Sequence, residues 1–292
     1  MQIKENISLK DLTTFKIGGN TRYFAEIETE EDLQEALLFA GQNNLPFFVL
    51  GGGSNLLVAD AGFEGLVIKI IFREAKIFEE NKIETSSGVA LSDLVSLALA
   101  RGLSGLEWAL GIPKATLGGA LFMNAGAFGA NMADITEQVI AFDTTENKFK
   151  TFDFVGCQFD YKNSVFKRNK NLIIWQAILK LEKKDKKEIE IEMKRVMAYR
   201  QKNHPLEYGS AGSVFKNPHN LPAGEAIEKV GLKGKQIGQA KISEKHSNFI
   251  VNLGTATSSD VKALIDLAKK QVKEKLKIDL EEESIYLDYH KL

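Results

Sequence analysis

The chain has one cysteine, Cys157, among its 292 residues. A lone cysteine excludes an intrachain disulfide framework and any multi-cysteine zinc or iron–sulfur site, and such a residue is most often core. Histidine is scarce as well: His204, His219, His246 and His290 are scattered with no HxH or HxxxH spacing, so no metal is expected. Charge of one sign is also missing, because 38 lysines and arginines stand against 39 aspartates and glutamates. With no overall field to attract nucleic acid or an anionic membrane, neither is expected as a partner, and an anionic ligand must be held by a local site. No stretch reaches the roughly 18 consecutive apolar residues of a membrane span. The first residues, MQIKENISLKDL, lack a basic region followed by an apolar run. The expectation is a cytoplasmic protein, monomeric or weakly oligomeric.

What is present suits a globular chain: 44% of residues are hydrophobic and 26% charged, enough for one large core or for two or three smaller ones. Thr29 and Asp32 followed by Leu33, Ala36, Leu37 and Ala40 predict an N-capped amphipathic helix ending near Gly41. The run Leu45 to Leu50 predicts a strand buried on both faces, and Leu66 to Ile71 a second one. Charged residues alternating with Ile77, Phe78, Ile83 and Val89 suggest strands with a wet face, and Leu91 to Arg101 reads as a helix stopped by Gly102. Val139 to Leu181 reads as β-rich, a charged helix starts near Lys186, and Val261, Leu264, Ile265, Ala268, Val272 and Leu276 mark a helix from about Ser259 to Leu276. The coarse reading is α+β, in three subdomains without long linkers.

Two glycine-rich stretches stand out. Gly51, Gly52, Gly53, Ser54 and Asn55 follow the first apolar strand, where consecutive amides without Cβ atoms can curl around a phosphate or pyrophosphate. No Gly-Lys-Ser/Thr follows and the G-x-G-x-x-G pattern is absent, so neither a Walker loop nor a dinucleotide fold is indicated. The second stretch carries Gly111, Ile112 and Pro113, then Gly118 and Gly119, then Asn124 and Gly126. Together the two read as walls of a cofactor cleft. Trp108 and Met123, beside the second, read as packing residues.

Seven motifs in order, TTFKIGG at 13–19, GGGSNLLV at 51–58, GIPKATLGGALFMNAGAFG at 111–129, YKNSVFK at 161–167, GSAGSVFKNP at 209–218, KISEKHSNFIVN at 241–252 and LEEESIYL at 280–287, make the chain resemble the UDP-N-acetylenolpyruvoylglucosamine reductase family. Length and the absence of a long insertion resemble the shorter of that family's two structural types. The resemblance implies two α+β subdomains of PCMH type holding FAD, at 1–68 and 69–203, and a third at 204–283 closing over the UDP-sugar, with 284–292 a candidate to return to the first. It implies NADPH as hydride donor and UDP-N-acetylglucosamine enolpyruvate as substrate.

It also implies roles. Ser213 matches the family's serine proton donor, and Glu283 its catalytic glutamate, with Glu281 and Glu282 as solvated neighbours. Lys162 stands where the family's motif has arginine, keeping the charge and losing the planar fork; DYKNSVFK, Asp160 to Lys167, then reads as a strand whose lysine faces the substrate. Lys167 is one of several conceivable substitutes for the arginine. Tyr161 and Asn217 fall to the substrate, and Lys216 is either a ligand contact or a solvated charge. His246 and Asn248 read as structural. Two rival readings remain: another FAD-dependent oxidoreductase of the same superfamily, and a non-catalytic flavin or nucleotide-sugar binder.

Overall fold

A computed structural model describes residues 1–289; residues 290–292, with His290 and the end of the 284–292 tail, lie outside the described residues. The fold is α+β, and four apolar cores organise it.

The Thr29 signal is realised as a reciprocal cap: the Asp32 amide donates to Thr29 Oγ1 and the Thr29 amide to Asp32 Oδ2, both at 3.1 Å. The helix Glu30–Gln42 that follows buries Leu33, Ala36 and Ala40, spaced to lie on one face. It crosses over between two strands of a four-stranded sheet whose order is Ile3–Ser8, Asn20–Ile27, Phe63–Ile70 and Phe47–Leu50. The first pair is antiparallel, and the other two contacts are parallel. Phe47–Leu50 is therefore an edge strand. Of its residues only Leu50 is buried, which corrects the expectation of a strand buried on both faces: an edge strand with one flank on a cleft stays half open.

A second, wholly antiparallel sheet runs Lys148–Asp153, Thr136–Asp143, Leu172–Lys180, Lys82–Ser86 and Ala75–Phe78. Phe142, Ile173 and Trp175 from this sheet pack with the helix Glu30–Gln42 and the first sheet in one core. The other side of the second sheet packs on the helices Leu91–Ala100 and Leu117–Met123. Cys157 lies fully buried there, and burial, reinforced by Asp153, pushes its thiol up to about 12. Trp108 is packed in the same core.

A small core gathers Leu9, Phe24, Val67 and Leu287, and the remaining core joins residues 211–280 to Phe15, Ile17 and Leu57. Its helix Ser258–Leu276 starts in a Thr257–Asp260 capping box and buries Val261, Leu264, Ile265, Ala268 and Val272, each large side chain contributing about 1.5–3 kcal/mol. The chain then returns, and Ile285–Leu287 pairs in parallel with Leu56–Val58. Among the described residues no helix is long and apolar enough to cross a membrane.

The stretch Asp160 to Lys167 differs from expectation. It is a turn closed by two backbone hydrogen bonds between Asp160 and Asn163 at 3.0 and 3.1 Å, followed by the short helix Val165–Arg168. Lys162 has φ +55°, a left-handed conformation that no strand admits. Ser164 is fully buried, caps the short helix and donates to the Phe122 carbonyl at 2.8 Å. Its hydroxyl is spent on local order.

Candidate active site

A cavity of about 720 Å³ opens where these units meet, within the range of small-molecule and cofactor sites. A shallower depression around Asp134, Phe154 and Lys180 carries none of the candidate residues.

One wall is the edge strand Phe47–Leu50 running into Gly51, Gly52, Gly53, Ser54 and Asn55. The opposite wall contains Ile112, Ala115, Thr116, Gly118, Gly119 and Gly126. The two glycine segments touch. A Cβ on Gly52 would lie 1.4 Å from the Lys114 carbonyl oxygen, and one on Gly53, at φ +66°, would lie 2.5 Å from the Leu12 carbonyl oxygen. Glycine is dictated here by close approach of backbone to backbone. The resulting cradle, with apolar walls and exposed amides, fits an extended nucleotide cofactor such as FAD. Gly52→Ala is expected to cost about 1–3 kcal/mol or more of overpacking, because a backbone carbonyl cannot swing aside. Purified variant should carry little flavin by its visible spectrum; parental flavin content would refute the account.

Not every sequence candidate lines this cavity. Gly111 and Pro113 lie outside the lining; Gly111, at φ +78°, abuts Met197 and Arg200. Asn124 also lies outside: it ends the helix Leu117–Met123 in a left-handed turn, donates to the Asp160 carbonyl at 3.0 Å and accepts from the Ala133 amide at 2.9 Å. It therefore holds the turn carrying Lys162. Met123 is buried yet reaches the lining.

Lys162, Glu283 and Ser213 all line the cavity. Lys162 Nζ and Glu283 Oε1 are 2.8 Å apart, with side chains only 16% and 13% exposed. Glu281 pairs with Lys216 and Glu282 with Lys269, so Glu283 alone of the three glutamates faces the cavity. Its position follows from the backbone: the Glu283 amide donates to the Val214 carbonyl at 2.8 Å, and its own carbonyl accepts from Asn55 Nδ2 at 3.1 Å. Glycine-loop Asn55 thus anchors the glutamate segment.

Ser213 precedes Val214 and bridges to Phe249. Asn248 fixes the segment twice, donating to the Phe215 carbonyl at 2.8 Å and accepting from the Phe215 amide at 2.9 Å. Asn248 is structural, as expected, whereas His246 of the same motif lines the cavity. Asn217 lines the cavity, and its Oδ1 accepts from the Ala223 amide at 3.1 Å. Tyr161 and Lys216 lie outside the lining; the Tyr161 hydroxyl accepts from the Asn217 amide at 3.1 Å.

Sequence reasoning missed Arg200 and His204, which also line the cavity. Arg200 is buried and donates to the Trp108 carbonyl at 2.8 Å, with its guanidinium 5.3 Å from the Phe128 ring centroid. The His204 ring packs 5.0 Å from Phe249 and 5.6 Å from His246. A signal existed: the two residues are four apart at the end of the helix Lys186–Asn203, a few residues before GSAGSVFKNP.

Burial, followed by the charge of Arg200 and by His246, lowers His204 from 6.5 to about 4. Unfolded chain takes up a proton there below about pH 6.5 and folded chain only below about 4, so stability falls as pH drops through that window and levels off beneath it. Discounted for the half-exposed ring, the loss is on the order of 1–2 kcal/mol. Urea midpoints between pH 7 and 4 should show a shallower slope for His204→Gln than for the parent; identical slopes would exclude His204 as the source.

Residues 204–287 match the family model described as UDP-N-acetylenolpyruvoylglucosamine reductase, C-terminal domain, and residues 21–147 match a FAD binding domain. A UDP-N-acetylenolpyruvoylglucosamine reductase of Caldanaerobacter subterraneus is 41% identical over 94% of this chain and 90% of that protein. One of Protochlamydia amoebophila is 41% identical over 99% and 95%. The crystal structure of the reductase from Thermus caldophilus superposes with a TM-score of 0.84 at 38% identity, covering 98% of this chain and 99% of that one. Two glycine walls around one cleft, a glutamate and a lysine paired at its edge, and likeness along nearly the whole length agree: the chain belongs to the UDP-N-acetylenolpyruvoylglucosamine reductase family, FAD-binding oxidoreductases.

Proposed function

We propose that this enzyme reduces UDP-N-acetylglucosamine enolpyruvate to UDP-N-acetylmuramate, a precursor of peptidoglycan, with NADPH as the source of hydride. When bound, FAD would supply the hydride for C3 of the enolpyruvyl group. The protein supplies position and charge. Lys162 stabilises negative charge developing on the enolpyruvyl carboxylate and enol, Glu283 orients the same group as Lys162's partner, and the Ser213 hydroxyl delivers the proton to C2. Gly51 to Asn55 with Gly118, Gly119 and Gly126 would cradle the cofactor, and Asn217 takes the substrate diphosphate.

The observation that carries this reading is the 2.8 Å Lys162–Glu283 pair in the same cavity as Ser213 and both glycine walls. A lysine–glutamate pair and a hydroxyl facing one cofactor-sized cleft suit protonation of a carbanion stabilised by its own carboxylate. The same reading divides the chain into units at 1–68, 69–203 and 204–283. Phe15, Ile17 and Leu57 packing into the third core support a first unit that cradles the third.

The direct test is anaerobic. NADPH should bleach the yellow protein, and UDP-N-acetylglucosamine enolpyruvate should restore the colour with one product formed per flavin. A bleached protein that this compound never reoxidises would end the proposal.

A further inference from the structure

We propose that Lys167 is a second cation for the substrate carboxylate, acting beside Lys162 where one ammonium lacks the second prong of a guanidinium. This rests on the reductase reading and deepens it.

Lys167 lines the same cavity as Lys162 and Glu283. Its Nζ donates to the Lys162 carbonyl at 3.0 Å, so it is held against the turn that presents Lys162. Ser164 fixes the short helix that carries it, and that serine is anchored on Phe122. The neighbouring charges are already matched. Lys162 pairs with Glu283 and Lys216 with Glu281, whereas Lys167 is in no ion pair among the described residues. Burial, followed by the field of Lys216, pushes the Lys167 ammonium below its usual range. A half-buried ammonium whose one oxygen partner is a neutral carbonyl is stabilised by any anion that reaches it.

The substrate offers two anionic groups. Its carboxylate hangs from the vinyl carbon that reacts, so it must lie beside the Lys162–Glu283 pair, and Lys167 is tethered to that turn. The diphosphate lies beyond the hexose. Geometry therefore assigns Lys167 to the carboxylate: two point charges, one on the turn and one tethered to it, take the two oxygens that a single planar fork would take.

The test is calorimetric binding to the FAD-loaded protein without NADPH, using UDP-N-acetylglucosamine enolpyruvate and UDP-N-acetylglucosamine, which lacks the carboxylate. Lys167→Met should weaken the first by roughly tenfold or more, as expected for a lost charged hydrogen bond, and leave the second within about twofold. Lys167→Arg should restore most of the loss, which loss of folding alone would not predict. Equal weakening of both ligands would assign Lys167 to the diphosphate and overturn the proposal, as would no weakening of either. Should Lys167→Met lose its flavin, Lys167→Gln and Lys167→Arg carry the same comparison. Parent enzyme that binds UDP-N-acetylglucosamine equally well with or without the enolpyruvyl group would overturn the reductase reading along with this one; a parent that discriminates while the variants do likewise overturns this one alone.

Discussion

Ser213→Ala is expected to slow substrate reduction by roughly 10²–10⁴-fold, the range for removing a positioned proton donor, while NADPH bleaches the flavin at the parental rate. The separation of the two half-reactions is the content of the prediction. The segment that carries Ser213 is fixed by backbone and by Asn248, through the Val214 amide to the Asn248 carbonyl at 2.8 Å and through both amide-group bonds to Phe215. None of these uses the serine hydroxyl, so alanine removes one O–H and leaves the segment in place. Stopped-flow measurement of each half-reaction checks it. Equal slowing of both halves would mean the change disturbs the cleft, and no slowing of the second would remove Ser213 as the donor to C2.

Much of the fold was legible because its signals are local. The helix Glu30–Gln42 declared itself through Thr29 and Asp32, and the structure finds that capping box; the helix Ser258–Leu276 declared itself through its apolar spacing. The strand Phe47–Leu50 was legible as a strand but not as an edge, since which flank stays uncovered depends on pairing with Phe63–Ile70, a distant segment. The turn at Lys162 was not legible at all. A non-glycine residue at φ +55° carries no local mark, and the turn is held from outside by Asn124 through the Asp160 carbonyl.

The site divides in the same way. Glycine runs reveal themselves by composition, and motif order gave Ser213, Glu283 and Lys162, which line one cavity. Arg200 and His204 stayed hidden because their partners are remote: Arg200 meets Trp108 and Phe128, and His204 meets His246 and Phe249. Five ring contacts from Phe128 through Tyr199 and His204 to Phe249 and His246 join the helix Lys186–Asn203 to the segment that carries His246 and Phe249. No periodicity in either segment encodes a contact between them.

Lys162→Met is expected to lower kcat/KM for the enolpyruvyl substrate by roughly 10²–10³-fold, the scale for removing one group aimed at developing negative charge. On the proposed mechanism the loss should fall mainly in kcat, because the charge facing Lys162 would grow during reduction. A stability cost accompanies it. Glu283 is 13% exposed, and its cation would be gone, which at a fully buried pair costs about 3–5 kcal/mol and at this partly open one on the order of 1–2. Thermal unfolding separates the two effects, since a variant that stays folded at the assay temperature and still loses rate has lost chemistry. Lys162→Arg is the informative partner. The left-handed turn accommodates arginine as readily as lysine, the Gly126 carbonyl 3.4 Å from Nζ offers a second acceptor, and a planar fork can grip Glu283 and substrate together. This variant should keep activity within about tenfold of the parent and gain where the single ammonium limits the reaction. If the methionine variant turned over as fast as the parent, Lys162 would leave the mechanism. If the arginine variant were as slow as methionine, the cavity would be built around lysine, and the second cation at Lys167 would be part of the reason.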